Sequence, residues 1–329
     1  MGPSGHLNSL LTSLHSAFTI RPMARIAAAL LYFLAAALGQ LPWPWLMVLG
    51  DGLAALWRRI DARESRVARR NLELAYPHLL ASEREQLHNE ILRTTAHQAL
   101  ETMRLWTRPH ADNLQMIHEM HGVELFDAAI AAGKGVIVAA PHHGNWELLN
   151  QWLAAHTPLA ILYRPPESAI GEAFLNRVRA AHGDAGRVAQ IRAEGPAIRQ
   201  LFKRLGAGGV VGILPDQQPK AGDGEFAPFF GMQAFTMTLV GRLAHRTGAT
   251  VLFAWCERID SHAAGPRFAL HIEPAPDGIA DTDPKVAVAA LNRAVEHVAR
   301  RDPAQYQWTY KRYTLRPPGS GESNPYRRG

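Results

Sequence analysis

The sequence has very little cysteine: Cys256 is the one thiol in 329 residues. A single cysteine excludes an internal disulfide framework and a cysteine-rich zinc site. The residue sits in the apolar run TVLFAWC, which predicts a buried side chain rather than a nucleophile. Such sparse cysteine is typical of proteins in a reducing compartment.

Several motifs of common functional classes are also missing. The sequence has no G-x-S-x-G nucleophile elbow, and zinc-finger spacing, RNP-type aromatic motifs and long Lys/Arg runs are absent. These absences argue against a serine hydrolase of that type and against a nucleic-acid partner. The formal net charge is nevertheless +6, which favours anionic partners such as phosphorylated lipids, anionic bilayers or acidic proteins.

Charge is absent from residues 26–50, a length that can cross a bilayer. Pro42 and Pro44 interrupt this stretch, and the clean helical run 26–38 is short for a span. A kinked span, an interfacial or re-entrant helix, a signal-peptide core and a buried soluble helix remain open. Basic residues on both sides and tryptophans near its far end favour a membrane segment over 23–50, preceded by a flexible N-terminus over 1–22.

Residues 51–316 form the predicted main domain, with a helical part over 51–108 and an α/β part over 109–316. Ser82 and Glu85 have capping-box spacing and predict a helix start, and Pro77 separates that helix from the Arg-rich one before it. The Pro/Gly/Ser-rich composition of 317–329 predicts a flexible tail.

Short apolar runs alternate with amphipathic stretches in the α/β part. The predicted strands are 135–140, 159–163, 208–214, 249–255 and 268–273, and the predicted helices are 147–156, 171–182, 193–205 and 236–247. Strands separated by helices predict an α/β fold with a mixed, largely parallel central sheet flanked by helices.

The segment PHHGNWE after the first of these strands predicts a strand, a tight turn and a helix. Gly144 permits the turn, Asn145 caps the helix, His142 lies in the loop and Glu147 in the first helical turn. Across the turn, Glu147 is expected to hydrogen-bond the imidazole of His142 and fix its tautomer, leaving the other nitrogen as a base. Alternatives are surface histidines, a glutamate that only complements the helix dipole, and a metal site including His143.

Other candidate residues follow later strands. Arg164 precedes a rigid Pro-Pro turn, where it could clamp a phosphate or form a surface ion pair. Asp216 and Gln217 end a strand and should reach the same sheet edge as His142, with Asp216 bonding backbone N–H groups. Two more residues, Lys311 and Arg312, follow a tryptophan and could lie near lipid phosphates.

Six motifs in order make most of the chain, about 23 to 318, resemble the bacterial lipid A biosynthesis acyltransferases. They are VARRNLELAYP, PHHGNWE, LYRP, GILPDQQP, PFFG and QWTYKRY. His142 and Glu147 match the family's His-x4-Glu motif, and Arg164 and the Asp216–Gln217 pair match blocks that serve its active site. Together with Asn145, Lys311 and Arg312, these last three form the predicted substrate-binding set.

The resemblance implies transfer of a fatty acyl chain from acyl-acyl carrier protein to a hydroxyl of a lipid A precursor, an anionic lipid. The enzyme would act at the cytoplasmic face of the bacterial inner membrane and would need no cofactor or metal. Another lipid acceptor, such as a lysophospholipid, ornithine lipid or glycolipid, is the nearest alternative. A metal-dependent hydrolase using His142, His143 and Glu147, or a non-catalytic lipid-binding module, is more distant.

Overall fold

The computed structural model describes residues 23–163, 168–181, 187–193, 195–262 and 265–327. The predicted N-terminus 1–22 and the candidate Arg164 lie outside these residues. The helices are α1 Met23–Gly39, α2 Trp43–Arg59, α3 Arg63–Ala75, α4 Ala81–Leu105, α5 His110–Leu114, α6 Val123–Ala131, α7 Trp146–His156, α8 Ala169–Ala181, α9 Gly195–Gly206, α10 Leu239–Thr247 and α11 Pro284–Arg301. The strands are β1 Ile117–His121, β2 Val136–Ala139, β3 Leu159–Tyr163, β4 Val188–Arg192, β5 Val210–Ile213, β6 Gly224–Phe229, β7 Met232–Met237, β8 Thr250–His262 and β9 Gly265–Pro274.

Seven strands form one sheet in the order β1-β9-β8-β2-β5-β3-β4, and β6 and β7 form a separate hairpin. All neighbouring pairs in the large sheet are parallel except β8 with β9. The central strands VIVA and VVGI are buried at every position, as expected of strands covered by helices on both faces. The predicted α/β fold with a mixed, largely parallel sheet is confirmed.

Two apolar layers cover the faces of this sheet. Ile137 and Ala139 of β2 belong to one layer, whereas Val136 and Val138 belong to the other, as the alternation of a strand requires. Cys256 is fully buried in the second layer, and burial raises the pKa of its thiol. The prediction of a buried cysteine is therefore confirmed.

Some predicted boundaries were wrong. Thr236 lies inside β7 and hydrogen-bonds Asn292, so the helix expected from 236 begins at Leu239 instead. Helix α4 starts at Ala81, where the Glu83 carboxylate accepts from the backbone N–H of Leu80 at 2.7 Å. The capping box expected at Ser82 and Glu85 is thus displaced by two residues.

The N-terminal pair α1 and α2 is bent by 117° at its break. In the part of the chain that the structure describes, no single helix is long and apolar enough to cross a membrane. The two helices of this pair, taken together, have the length and the apolar composition of a span. Large apolar side chains on both helices are exposed: Met23, Ile26, Leu30, Leu31, Phe33 and Leu34 on α1, and Trp45, Val48, Leu49 and Leu56 on α2.

The bent pair is joined firmly to the rest of the fold at Trp43. Its indole is buried directly against Gly265 at the start of β9, where a Cβ would come within 2.4 Å of the ring. The Arg104 guanidinium of α4 lies over the same ring at 4.3 Å and donates to the Leu41 carbonyl at 2.7 Å. Stacking and hydrogen bonding thus hold the apolar pair to the sheet and to α4.

The C-terminal segment packs back onto α3, although its composition predicts a flexible tail. The Tyr326 hydroxyl donates to the side-chain oxygen of Asn71 and accepts from the backbone N–H of Tyr313. Asn71 in turn donates to the carbonyls of Trp308 and Tyr310 at 2.6 and 2.7 Å. These bonds tie the tail as far as Tyr326 to the segment that carries residues 307–313.

Candidate active site

A buried loop follows β2 and leads into α7. The Asn145 side chain accepts from the backbone N–H of Leu148 at 3.1 Å, so the predicted helix cap is confirmed. Asn145 itself is 1 % exposed, so its side chain faces the protein rather than the open cleft. The cap fixes where α7 begins and therefore where the loop delivers His142.

Gly144 makes the tight turn of this loop. Its φ of +58° lies in the left-handed region, and a Cβ would approach the Cys256 carbonyl oxygen to 1.9 Å. The backbone N–H of Gly144 donates to the Gln305 carbonyl at 3.1 Å, and that of Asn145 to the Cys256 carbonyl at 2.8 Å. The loop is therefore held against β8 and the segment after α11, and this approach requires a glycine.

His142 pairs with Asp216 at the carboxyl end of the sheet. The imidazole Nδ1 lies 2.6 Å from Asp216 Oδ1, and the backbone N–H of His142 donates to Oδ2 at 2.9 Å. Strands β2 and β5 are parallel neighbours, with Ala139 opposite Ile213, so the residues that follow them arrive together. Asp216 thus reaches the same sheet edge as His142 and accepts from a backbone N–H, as predicted, whereas its bond to the imidazole was not predicted.

Gln217 lies at the other nitrogen of the imidazole. Its side-chain Nε2 is 3.2 Å from His142 Nε2 and donates to the Gln307 side-chain oxygen at 3.2 Å. Because an amide nitrogen donates, His142 Nε2 accepts, and the ring proton resides on Nδ1 facing Asp216. This tautomer leaves the Nε2 lone pair as the basic atom of the site.

The electrostatics of the pair favour an ionised carboxylate. Burial on its own raises the pKa of Asp216, but the positive charge of His142 in its protonated form and the hydrogen bonds that His142 donates outweigh this effect, and the pKa is lowered. The nearby Tyr306 has its pKa raised well above the usual range, first by burial and then by the Asp216 charge. A buried anion is thus fixed beside the imidazole while its phenolic neighbour stays neutral.

The carboxylate that orients the imidazole is therefore Asp216 and not Glu147, contrary to the expected hydrogen bond. Glu147 lies in the first turn of α7 and is partly exposed. The residue before it, Trp146, packs edge-on against the imidazole with ring centroids 5.0 Å apart. Glu147 is thus partly exposed in the first turn of α7, whereas the buried Asp216 lies beside the imidazole.

His143 is directed into the protein rather than into the site. It is fully buried, and within the described chain neither ring nitrogen has a hydrogen-bond partner. Burial lowers the pKa of His143 to about 4, so the imidazole is neutral at physiological pH. No group of three or more His, Cys, Asp or Glu side chains arranged to hold a metal occurs among the described residues.

A buried ion pair supports the loop from α4. Glu101 Oε1 accepts from Arg258 at 2.6 Å, and Asn145 donates to the other oxygen of Glu101 at 3.5 Å. One helical turn earlier, Gln98 donates to the Gly144 carbonyl at 2.6 Å. Sequence reasoning missed Glu101 and Gln98, because nothing in the pattern of a long helix indicates which of its polar residues faces a distant loop.

The two candidates near the chain end have separate environments. The buried guanidinium of Arg312 donates to the Phe235 carbonyl at 2.7 Å, to the Thr236 hydroxyl and to the Asn292 side chain at 3.3 Å. Arg312 therefore lies in the core, away from the predicted position at a lipid phosphate. Lys311 is partly exposed and faces the Tyr326 ring at 5.9 Å.

The fold and this edge site define an α/β enzyme with a histidine–carboxylate pair at the carboxyl ends of two central parallel strands. Residues 19–314 match the family described as bacterial lipid A biosynthesis acyltransferase. The chain belongs to this family, and it is an acyltransferase of lipid A biosynthesis.

Individual relatives agree with this membership. The chain is 29% identical over 293 residues to the lipid A biosynthesis palmitoleoyltransferase of Escherichia coli K12, covering 87% of this chain and 90% of the relative. It is 26% identical over 284 residues to the lauroyltransferase of lipid A biosynthesis from the same organism, covering 85% and 89%. A phosphatidylinositol mannoside acyltransferase of Mycobacterium tuberculosis is 26% identical over 159 residues, 47% of this chain and 49% of the relative.

Proposed function

We propose that the enzyme transfers a fatty acyl chain from acyl-acyl carrier protein to a hydroxyl group of a lipid A precursor, with His142 as the general base. The observation that carries this proposal is the His142–Asp216 pair. One ring nitrogen is bonded to a buried carboxylate at 2.6 Å, while the other faces the amide of Gln217. A base fixed in one tautomer is what activation of a weakly acidic hydroxyl requires.

In the proposed reaction the acceptor hydroxyl takes the place of the Gln217 amide at His142 Nε2. As the hydroxyl oxygen attacks the thioester carbonyl, its proton passes to Nε2, and Asp216 stabilises the resulting imidazolium. Collapse of the tetrahedral intermediate forms the new ester and breaks the carbon–sulfur bond. The imidazolium returns the proton to the departing thiolate, so the enzyme ends in its starting state.

The oxyanion of this intermediate needs a positive environment. The N-terminal turn of α7, which begins at Trp146 directly after the loop, supplies backbone N–H groups and the positive end of the helix dipole. Arg164 is proposed to assist here. Glu147, in the same turn, is proposed to act at the mouth of the site on the incoming substrate, and the orientation of the base falls to Asp216.

The bent pair α1–α2 is proposed to hold the enzyme at the cytoplasmic face of the inner membrane. Its exposed leucines, phenylalanine and tryptophan support insertion into the acyl region. The arginines at the end of α2, Arg58 and Arg59, support contact with anionic head groups. A lipid acceptor would then reach His142 without leaving the bilayer.

Acyl transfer by purified protein tests the proposal. His142→Ala should abolish transfer from acyl-acyl carrier protein to a lipid A precursor, measured by mass spectrometry, with circular dichroism unchanged. His118→Ala, at an exposed position of β1, is the matched control and should retain the wild-type rate. Transfer retained by the His142 variant would refute the base assignment, and activity abolished by a chelator would favour the metal-dependent hydrolase.

A further inference from the structure

One face of α3 turns three arginines toward a cavity. Arg63, Arg66 and Arg70 recur at helical spacing, with the buried Val67 between them. The cavity has a volume of about 310 Å³, enough for a phosphorylated head group. Its opposite wall carries two further cations, Lys311 and Arg327, and among the described residues no carboxylate lines it.

The positive charge of this cavity is weakly compensated. Arg63, Arg66 and Arg70 have carboxylates at 3.6, 4.0 and 2.7 Å, in pairs whose side chains are about half exposed to solvent. Within the described chain no carboxylate lies within ion-pair distance of Lys311 or Arg327. Three carboxylates thus accompany five cations, so the cavity keeps a surplus of positive charge that a bound anion would offset.

The cavity is held open by bonds that do not involve a ligand. Arg70 donates from Nε to the Pro325 carbonyl at 3.1 Å, which fixes its guanidinium at the wall. The Tyr326 hydroxyl bonds Asn71 of the same helix, and Asn71 bonds the Tyr310 carbonyl beside Lys311. The two walls are therefore connected by hydrogen bonds, as in a preorganised binding site.

The position of the cavity relates it to both the membrane segment and the active site. Helix α3 follows α2 after three residues, and the exposed Leu56 and Ile60 place this junction at the proposed bilayer surface. The other wall continues the segment in which the backbone N–H of Gln307 donates to the His142 carbonyl at 3.0 Å. Lys311 is four positions after Gln307, so the Cα atoms of the two residues are at most about 14 Å apart.

We propose that this cavity is a binding site for the phosphate of the lipid acceptor's head group. Guanidinium groups bind phosphate oxygens bidentately, and an ammonium adds a point charge. A phosphate held here anchors the acceptor at the membrane surface while a hydroxyl of the same molecule reaches His142. The assignment of the acceptor rests on the proposed function, whereas the affinity of the cavity for a lipid phosphate does not.

The direct test measures binding of dihexanoyl phosphatidic acid, a water-soluble lipid phosphate, by isothermal titration calorimetry. The double variant Arg66→Ala/Lys311→Ala should weaken binding at least about tenfold, since two phosphate contacts are lost. Arg242→Ala, an exposed arginine of α10, is the matched control and should bind as the wild type does. Equal binding by the double variant and the control would overturn the site.

The kinetic test uses acceptors with and without their phosphate in neutral detergent. The double variant should raise KM at least about tenfold for the phosphorylated acceptor, leaving kcat and the KM for the acyl donor within about twofold. For the dephosphorylated acceptor KM should be high already and unchanged by the substitutions. An equal rise for both acceptors would overturn the proposal.

Two further outcomes identify a different ligand. A raised KM for the acyl-carrier donor would assign the cations to an acidic protein and overturn the proposal. An effect seen only with added phosphatidylglycerol vesicles would assign them to bulk bilayer lipid and overturn the acceptor. If the wild type binds phosphatidic acid and the double variant does not, but the wild type transfers no acyl chain, the binding site is supported and the proposed function is refuted.

Discussion

His142 and Asp216 are 74 positions apart in the chain, yet two hydrogen bonds join them, one to the imidazole Nδ1 and one to the backbone N–H. The second bond fixes the loop as well as the ring, because the same carboxylate holds the backbone at the point where the side chain departs. Asp216 therefore sets both the position of the His142 imidazole and its tautomer.

Asp216→Asn should lower kcat severely. The amide can donate to Nδ1, which favours the wrong tautomer, and the negative charge beside the developing imidazolium is lost. From the comparable substitution in other histidine–carboxylate pairs we expect a loss of about 10³- to 10⁴-fold in kcat. Steady-state kinetics on folded protein check this, with Glu147→Gln measured beside it. A larger loss of kcat in the Glu147 variant than in the Asp216 variant would contradict the assignment of Asp216 as the orienting carboxylate.

His143 should make the protein less stable in mild acid. In the unfolded chain its imidazole takes up a proton near the ordinary histidine pKa of 6.5, whereas the buried imidazole stays neutral down to about 4. Between these values the unfolded state binds more protons, so the free energy of unfolding falls as the pH drops through this window. At the low-pH end of this window, His143 lowers the free energy of unfolding by about 3 kcal/mol.

Urea denaturation at pH 5 and pH 7.5 measures this effect. His143→Phe removes the titrating group from the buried position and should reduce the difference in stability between the two pH values. His118→Phe, at an exposed position, should leave that difference as it is in the wild type. The same pH dependence in all three proteins would show that His143 does not produce it.

Gly144→Ala should destabilise the protein strongly. A methyl group there meets the Cys256 carbonyl oxygen at 1.9 Å, in addition to the strain of the positive φ. Gly133 has a φ of +67° with open space around it, so Gly133→Ala isolates the conformational strain. We expect a loss of about 1 kcal/mol for Gly133→Ala and of more than about 3 kcal/mol for Gly144→Ala in chemical denaturation. Equal losses would mean that the loop yields easily at this contact.

Arg312→Met should lower stability rather than only the affinity for substrate. The substitution removes the guanidinium that the Phe235 carbonyl and the Asn292 side chain accept from. Loss of these buried bonds should reduce the free energy of unfolding by about 3 kcal/mol. The neighbouring Lys311→Met should change it by less than about 0.5 kcal/mol, because that side chain is partly exposed. Similar stabilities for the two variants would contradict the core position of Arg312.

Leu34→Glu should weaken membrane attachment. This leucine is 61 % exposed on α1, and a carboxylate there opposes insertion into the acyl region of a bilayer. We expect sedimentation with phosphatidylglycerol vesicles to weaken by about tenfold or more. Leu125→Glu on α6, a leucine that is 37 % exposed, serves as the control. A parallel loss in both variants would point to general charge repulsion from the vesicles.

The central strands could be predicted because they are continuous apolar runs; β3 lies where LAILY predicts it, from Leu159 to Tyr163. Strand β1, with the sequence IHEMH, has four exposed residues among its five positions. Its pairing with β9 is set by the fold and not by its own composition, so no periodicity indicates it. The hairpin β6–β7 was not predicted either, because a threonine such as Thr236 is as typical of a helix N-cap as of a strand.

The candidate active site could likewise be predicted only in part from the sequence. His142 and the cap Asn145 follow from local sequence, because a strand, a turn and a helix start are all encoded within a few residues. Which carboxylate meets the imidazole depends on β5 lying next to β2, a fact of sheet order. Sequence reasoning brought Asp216 to the right edge but assigned the bond to Glu147, the carboxylate nearer in the chain.

The contact of Trp43 with Gly265 and Arg104 has a mechanical consequence. A membrane anchor on a flexible linker would leave the candidate active site free to move above the bilayer. An anchor packed against the sheet fixes the height and the tilt of that site. Under the proposed function, in which the bent pair is the membrane anchor and His142 the base, this rigid attachment holds the imidazole at one depth relative to the lipid surface. The attachment of α2 is then expected to limit which hydroxyl groups of a lipid can receive an acyl chain.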